Sequence, residues 1–64
     1  MEKKLYWLIE SNYDLSNTTA HFEDCFHLVK TDFDDLESDI QKDMQYTITP
    51  VWYTDKEYAN LPED

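Results

Sequence analysis

The 64-residue chain contains no glycine, no arginine, one cysteine and two prolines. Phosphate-cradling loops need residues without a Cβ at tight positive-φ turns, so P-loop and dinucleotide-binding readings fail at once. Five lysines stand against fifteen acids, and the net charge is −10 at pH 7. That exceeds the magnitude of roughly 2–8 that keeps a small domain soluble. Direct nucleic-acid binding is disfavoured, because phosphate contacts depend on cations displacing counterions. Anionic membrane surfaces are disfavoured for the same reason. A lone cysteine cannot close an internal disulfide and fits a reducing, cytoplasmic setting. The longest apolar run, Leu5 to Ile9, is too short for a membrane span or a signal-peptide core.

Against these absences stands an aromatic content of 16%. High net charge with low hydrophobicity is the signature of disorder. Aromatic rings that each bury about 150–250 Å² argue for a folded core instead. A chain this short buries only about 60% of its unfolded surface, so the rings must supply much of that core. The expectation is one small domain, residues 1–64.

Lys4–Glu10 reads as a strand, with Leu5, Trp7 and Ile9 on one face and Lys4, Tyr6, Leu8 and Glu10 on the other. Leu8 breaks strict alternation and predicts partial cover on both faces. Ser11–Thr19 carries turn chemistry, and Thr18–Phe22 is a candidate short strand. Gln45–Tyr53 is a second clear strand, in which Pro50 calls for an edge position or a bulge. Thr54 and Glu57 match a capping box opening a short helix from Asp55 to about Asn60. Pro62 ends that helix, and Glu63 and Asp64 form a frayed tail.

Phe22, Cys25, Phe26, Val29, Phe33, Leu36 and Ile40 recur at helical spacing. They predict an amphipathic helix from about Phe22 to about Lys42, or two shorter helices in register with a break near Thr31; the uninterrupted stripe favours one helix, kinked there. The expected class is therefore α+β: an antiparallel sheet of two or three strands on one long helix, plus a short C-terminal helix. Trp7 and Trp52 are expected between sheet and helix.

On that helix Asp32, Asp35, Asp39 and Asp43 fall on one stripe, with Asp24 near it and Asp34 and Glu37 on the opposite edge. The stripe would run roughly 16 Å, over which one DNA strand places roughly five phosphates. Two readings compete: a solvated helix face, and a functional acidic surface. Like charges at i,i+4 cost up to about 0.5 kcal/mol per pair, and only Lys42 offsets this run. Solubility alone would be met more simply by alternating Glu and Lys, which favours function.

Other chemistries fare worse. An EF-hand counted from Asp32 puts Leu36 at position 5 and Glu37 where glycine is required. His21, Cys25 and His27 are the only soft ligands, and though the i,i+4 spacing of His21 and Cys25 suits one helix face, no second Cys or His pair completes a zinc shell. A Cys25–His21 nucleophile pair lacks an orienting turn and an oxyanion donor. No cofactor, metal or enzymatic activity is expected.

By its size, its charge and the Asp32–Asp43 run, the chain resembles small acidic phage-encoded counter-defence proteins: anti-restriction proteins, DNA-mimicking anti-CRISPR proteins and uracil-DNA glycosylase inhibitors. That resemblance implies a non-enzymatic inhibitor in the host cytoplasm, occluding the basic groove of a nucleic-acid enzyme or defence complex. Asp32, Asp34, Asp35, Glu37, Asp39, Asp43 and Asp24 would contact this partner, with Tyr46 and Tyr53 as secondary aromatic contacts. The competing expectation is a small adaptor, monomeric or self-associating, that pairs through the edge strand 45–53.

Overall fold

The computed structural model describes residues 2–61. Its elements are β1 (Lys4–Ser11), β2 (Ser16–Thr19), α1 (Phe22–Asp34), α2 (Ser38–Gln41), β3 (Tyr46–Tyr53) and α3 (Asp55–Ala59). The three strands form an antiparallel sheet in the order β2-β1-β3. The α+β class holds; the single long helix does not. Pro62, Glu63 and Asp64, assigned above to a helix stop and a tail, lie outside the described residues.

β1 is the centre of the structure. Its register with β3 runs unbroken from Lys4 opposite Tyr53 to Ser11 opposite Tyr46. The amide of Asn12 donates to the carbonyl of Gln45 at 3.1 Å, in the same register. Directly opposed residues alternate between bonded and non-bonded pairs. Residues 45, 47, 49, 51 and 53 therefore bond to β1, and Pro50 sits with its nitrogen turned outward. Pro50 thus occupies an edge strand without a bulge, and costs the β1 ladder nothing.

Both faces of β1 are covered, as Leu8 suggested. Trp7 meets the edge of Phe22 with ring centroids 4.7 Å apart, which places α1 on the side of Trp7 and Ile9. On the opposite side Tyr58 of α3 stacks on Tyr6 at 4.1 Å, with Tyr53 tilted against Tyr6 at 6.0 Å. The buried apolar set is small: Tyr6, Ile9 and Cys25. The radius of gyration is 13.1 Å, against about 10.7 Å for a compact domain of this length.

Three placements differ from expectation. Trp52 stays 56% exposed, because α1 lies chiefly over β1 and β2 rather than β3. Phe26 is 61% exposed, while Leu28, absent from the expected stripe, is half-buried. The inward face of α1 centres on Cys25, Leu28, Val29 and Phe33, and Phe22 and Phe26 stand at its margin. The second strand covers Ser16–Thr19 rather than Thr18–Phe22.

The helix ends at Asp34 for an electrostatic reason. Its last turn contains Asp32 and Asp34 and no basic residue, so carboxylates crowd the negative end of the helix dipole. Aspartate and serine are also weak helix formers. The chain turns at Asp35 and becomes extended at Glu37. It then restarts in α2, where Asp39 sits in a first turn that favours an acid. The side-chain amide of Gln41 donates to the carbonyl of Phe33 at 2.8 Å, closing one open group at the break. The break comes after Asp34, not at Thr31.

α3 is fixed by its cap. The Glu57 amide donates to Thr54 Oγ1 at 3.1 Å, and the Thr54 amide donates to Glu57 Oε1 at 2.9 Å. That second bond, first among the causes, lowers the Glu57 carboxyl below the usual carboxylate range. Its folded-state value lies below its unfolded one, so its stabilisation is present above the usual range and is lost as pH falls through the folded value. Thr54→Ala is expected to cost about 1 kcal/mol in urea denaturation and to weaken the near-ultraviolet signal of the Tyr6–Tyr58 stack. The stability gap between the native chain and Glu57→Ala should close on acidification.

Candidate functional site

The acids from Asp32 to Asp43 lie at one end of the sheet, where α1 stops, α2 turns and β3 begins. They do not share one helix. Asp32 and Asp34 belong to the last turn of α1, Asp35 caps it, Glu37 caps α2, Asp39 lies within α2 and Asp43 follows it. The expected four-acid stripe is replaced by a corner of two helical pieces separated by the turn at Asp35 and the extended Glu37. Asp34, Asp35, Glu37, Asp39 and Asp43 are exposed, and Asp32 is half-buried.

The corner is cross-braced by neutral groups. Tyr46 Oη donates to Asp32 Oδ2 at 2.8 Å, tying α1 to β3. Asn12 donates from Nδ2 to the carbonyl of Asp43 at 2.8 Å and accepts at Oδ1 from the amide of Gln45 at 3.1 Å. With the Gln41–Phe33 bond, these contacts hold the segment at its start, middle and end. The braces are made by neutral donors rather than by lysines. The ion pairs among the described residues, Lys3–Glu57 at 3.9 Å and Lys4–Asp55 at 3.0 Å, both lie at the other end of β1.

Asp24 is not part of this corner. It sits in the first turn of α1 and accepts from Thr19 Oγ1 at 3.1 Å, anchoring the helix start to β2. Of the aromatic candidates, Tyr46 belongs to the corner as the donor to Asp32. Tyr53 packs on Tyr6 at the far end of the sheet, among the α3 contacts. Asp14 was missed. It lies in the turn after β1, and its negative charge is felt by the Tyr46 phenol. Nothing in the linear pattern marked it, because the β1–β3 pairing is what brings that turn to the corner.

The soft residues have no such arrangement. Cys25 is fully buried, and desolvation followed by the charge of Asp24 pushes its thiol up. A thiol in that state is the unreactive kind. His21, expected to face Cys25, is the exposed cap residue of α1 and makes no side-chain capping bond. Among the described residues no group of three or more His, Cys, Asp or Glu is placed to hold a metal ion. Among the described residues no helix is long and apolar enough to cross a membrane.

Comparison with protein-family models, curated proteins and solved structures finds no match to this chain.

Partial burial, then the hydrogen bond to Asp32 and its negative charge, push the Tyr46 phenol up to about 12. The folded value exceeds the ordinary value of 10.0. The folded state therefore holds this proton more tightly, and the stabilisation is intact below the ordinary value and lost as pH rises towards the folded one. Ultraviolet titration should show Tyr46 ionising late among the tyrosines, and Tyr46→Phe should remove that late step at a cost of about 1 kcal/mol. Cys25 should resist a thiol reagent until urea unfolds the chain; rapid modification of the native protein would contradict its burial.

Proposed function

We propose that this chain is a non-enzymatic inhibitor that binds the basic, nucleic-acid-binding surface of a nucleic-acid enzyme or defence complex. One observation carries the reading: the acidic corner is braced by Tyr46, Asn12 and Gln41 while no cation neutralises Asp34, Asp35, Glu37, Asp39 and Asp43 in the ion pairs described. A merely solvated segment has no need of ties to Tyr46 and Asn12 outside it and a third bond within it.

The break after Asp34 changes the mechanism from the one the sequence suggested. A straight rod matching a phosphate repeat is replaced by a compact anionic knob at one end of the sheet. Asp34, Asp35, Glu37, Asp39 and Asp43 are the contact groups, and Asp14 adds to their field. Asp32 acts as a positioning residue, since one of its oxygens is engaged by Tyr46. Asp24 drops out of the contact set, being committed to Thr19. Such a knob fits a lysine- and arginine-rich groove, displacing its counterions and competing with polynucleotide. Complementary fields speed encounter most at low ionic strength.

The test is a five-site variant carrying Asp34→Asn, Asp35→Asn, Glu37→Gln, Asp39→Asn and Asp43→Asn. Immobilised native chain, challenged with cell lysate and eluted in salt steps, should retain a nucleic-acid enzyme that free polynucleotide displaces. The variant should lose that retention, with association at low salt slowed roughly tenfold or more. Retention unchanged in the variant, or indifferent to polynucleotide, removes the acidic corner from the mechanism.

A further inference from the structure

A three-stranded open sheet leaves two edges, and exposed edges are templates for pairing unless they are short, charged, bulged, covered or interrupted by proline. The β2 edge is managed. It spans four residues, and Tyr58 Oη, reaching across β1, donates to the carbonyl of Thr18 at 3.4 Å. By the β1–β2 register that carbonyl faces outward, so one acceptor of the short edge is occupied.

The β3 edge is blunted only by Pro50. It runs eight residues in unbroken register. No charged residue occurs from Met44 to Thr54, in a chain that is 31% charged. The register directs the backbone groups of Tyr46, Ile48, Pro50 and Trp52 outward, and only Pro50 lacks its donor. The side chains of those residues stand on the α1 face, and α1 leaves its far end uncovered: Trp52 and its cross-strand neighbour Leu5 are both exposed, while Tyr46 is tied to Asp32.

We infer that β3 is a homotypic interface, in which two copies of this chain pair antiparallel along their outer edges and double the three-stranded sheet. The occupant follows from charge. Two chains of −10 each can approach only where neither presents carboxylates, and the β3 edge is a long stretch of that kind. A basic partner would find nothing there to attract it. Antiparallel pairing also sends the two acidic corners to opposite ends, whereas parallel pairing would bring them together.

A register centred on Thr49 aligns the whole strand. Trp52 then lies opposite Tyr46 of the partner subunit, a cross-strand aromatic pair on the α1 face beyond the helix. Ile48 lies opposite Pro50 of the partner subunit. The carbonyl of Ile48 is left without a strand donor there, and every other outward group between Tyr46 and Trp52 finds one. This inference is independent of the inhibitor reading, and the two respond oppositely to salt. Screening strengthens association between like-charged copies and weakens docking of the acidic corner on a basic groove.

The experiment is sedimentation equilibrium of the full chain from micromolar to millimolar concentration, with amide hydrogen exchange on the same samples. The mass should rise from 7.8 kDa towards twice that value. The amides of Tyr46, Ile48 and Trp52 should gain protection in step with it. Trp52→Lys, a charge on the edge, should weaken self-association on the order of tenfold, while Asn17→Lys on β2 should leave it unchanged. A monomer at every concentration overturns the inference. So does a dimer in which those three amides remain fast, or a folded Trp52→Lys that associates as before. If Trp52→Lys fails to fold by circular dichroism, the exchange pattern of the native chain decides alone.

Discussion

Everything in this molecule is hung on β1, which must satisfy two neighbours and two faces at once. Its even-numbered residues bond to β3 and its odd-numbered ones to β2, so the strand has no free edge. Its side chains alternate between the α1 layer, where Ile9 is fully buried, and the α3 layer, where Tyr6 is sealed by Tyr58. Few apolar residues are buried beyond these. Stability in so thin a structure therefore depends on directional contacts, such as the Thr54 cap and the aromatic stacks, as much as on bulk burial.

The acidic corner shows how local electrostatics redirected the chain. A helix continued through Asp43 would have stacked carboxylates at i,i+4 along its negative end. Ending α1 early and starting α2 moves Asp39 from an unfavourable position to a favourable one, while Gln41 and Tyr46 hold the junction. The proposed docking surface and the helix break thus have one origin. The charge density that makes the segment distinctive is also what prevents it from being a rod.

Strand positions were legible because alternation and β-branched content speak locally: β1 and β3 fall within one residue of their expected bounds, and Thr54 and Glu57 marked α3 in advance. The long helix was misread because apolar spacing continues through Phe33, Leu36 and Ile40 on both sides of the break. Periodicity registers which residues face inward and is blind to a turn that preserves their order. Trp52 was misplaced for a related reason. A single strand reveals which face a residue occupies, but not that a short helix leaves part of that face uncovered. The braces from Asn12 and the proximity of Asp14 were beyond reach of the linear pattern, since strand pairing creates both.

The separation of charge along the sheet has a consequence for motion before contact. Lys3 and Lys4 are engaged with acids near α3, while unbalanced anions collect at the opposite pole. Such a body carries a permanent electric moment along its length. In the field of any strongly charged surface it experiences a torque as well as a force. The molecule turns while it is still diffusing, and the orientation in which it arrives is selected by its polarity ahead of any touching of side chains.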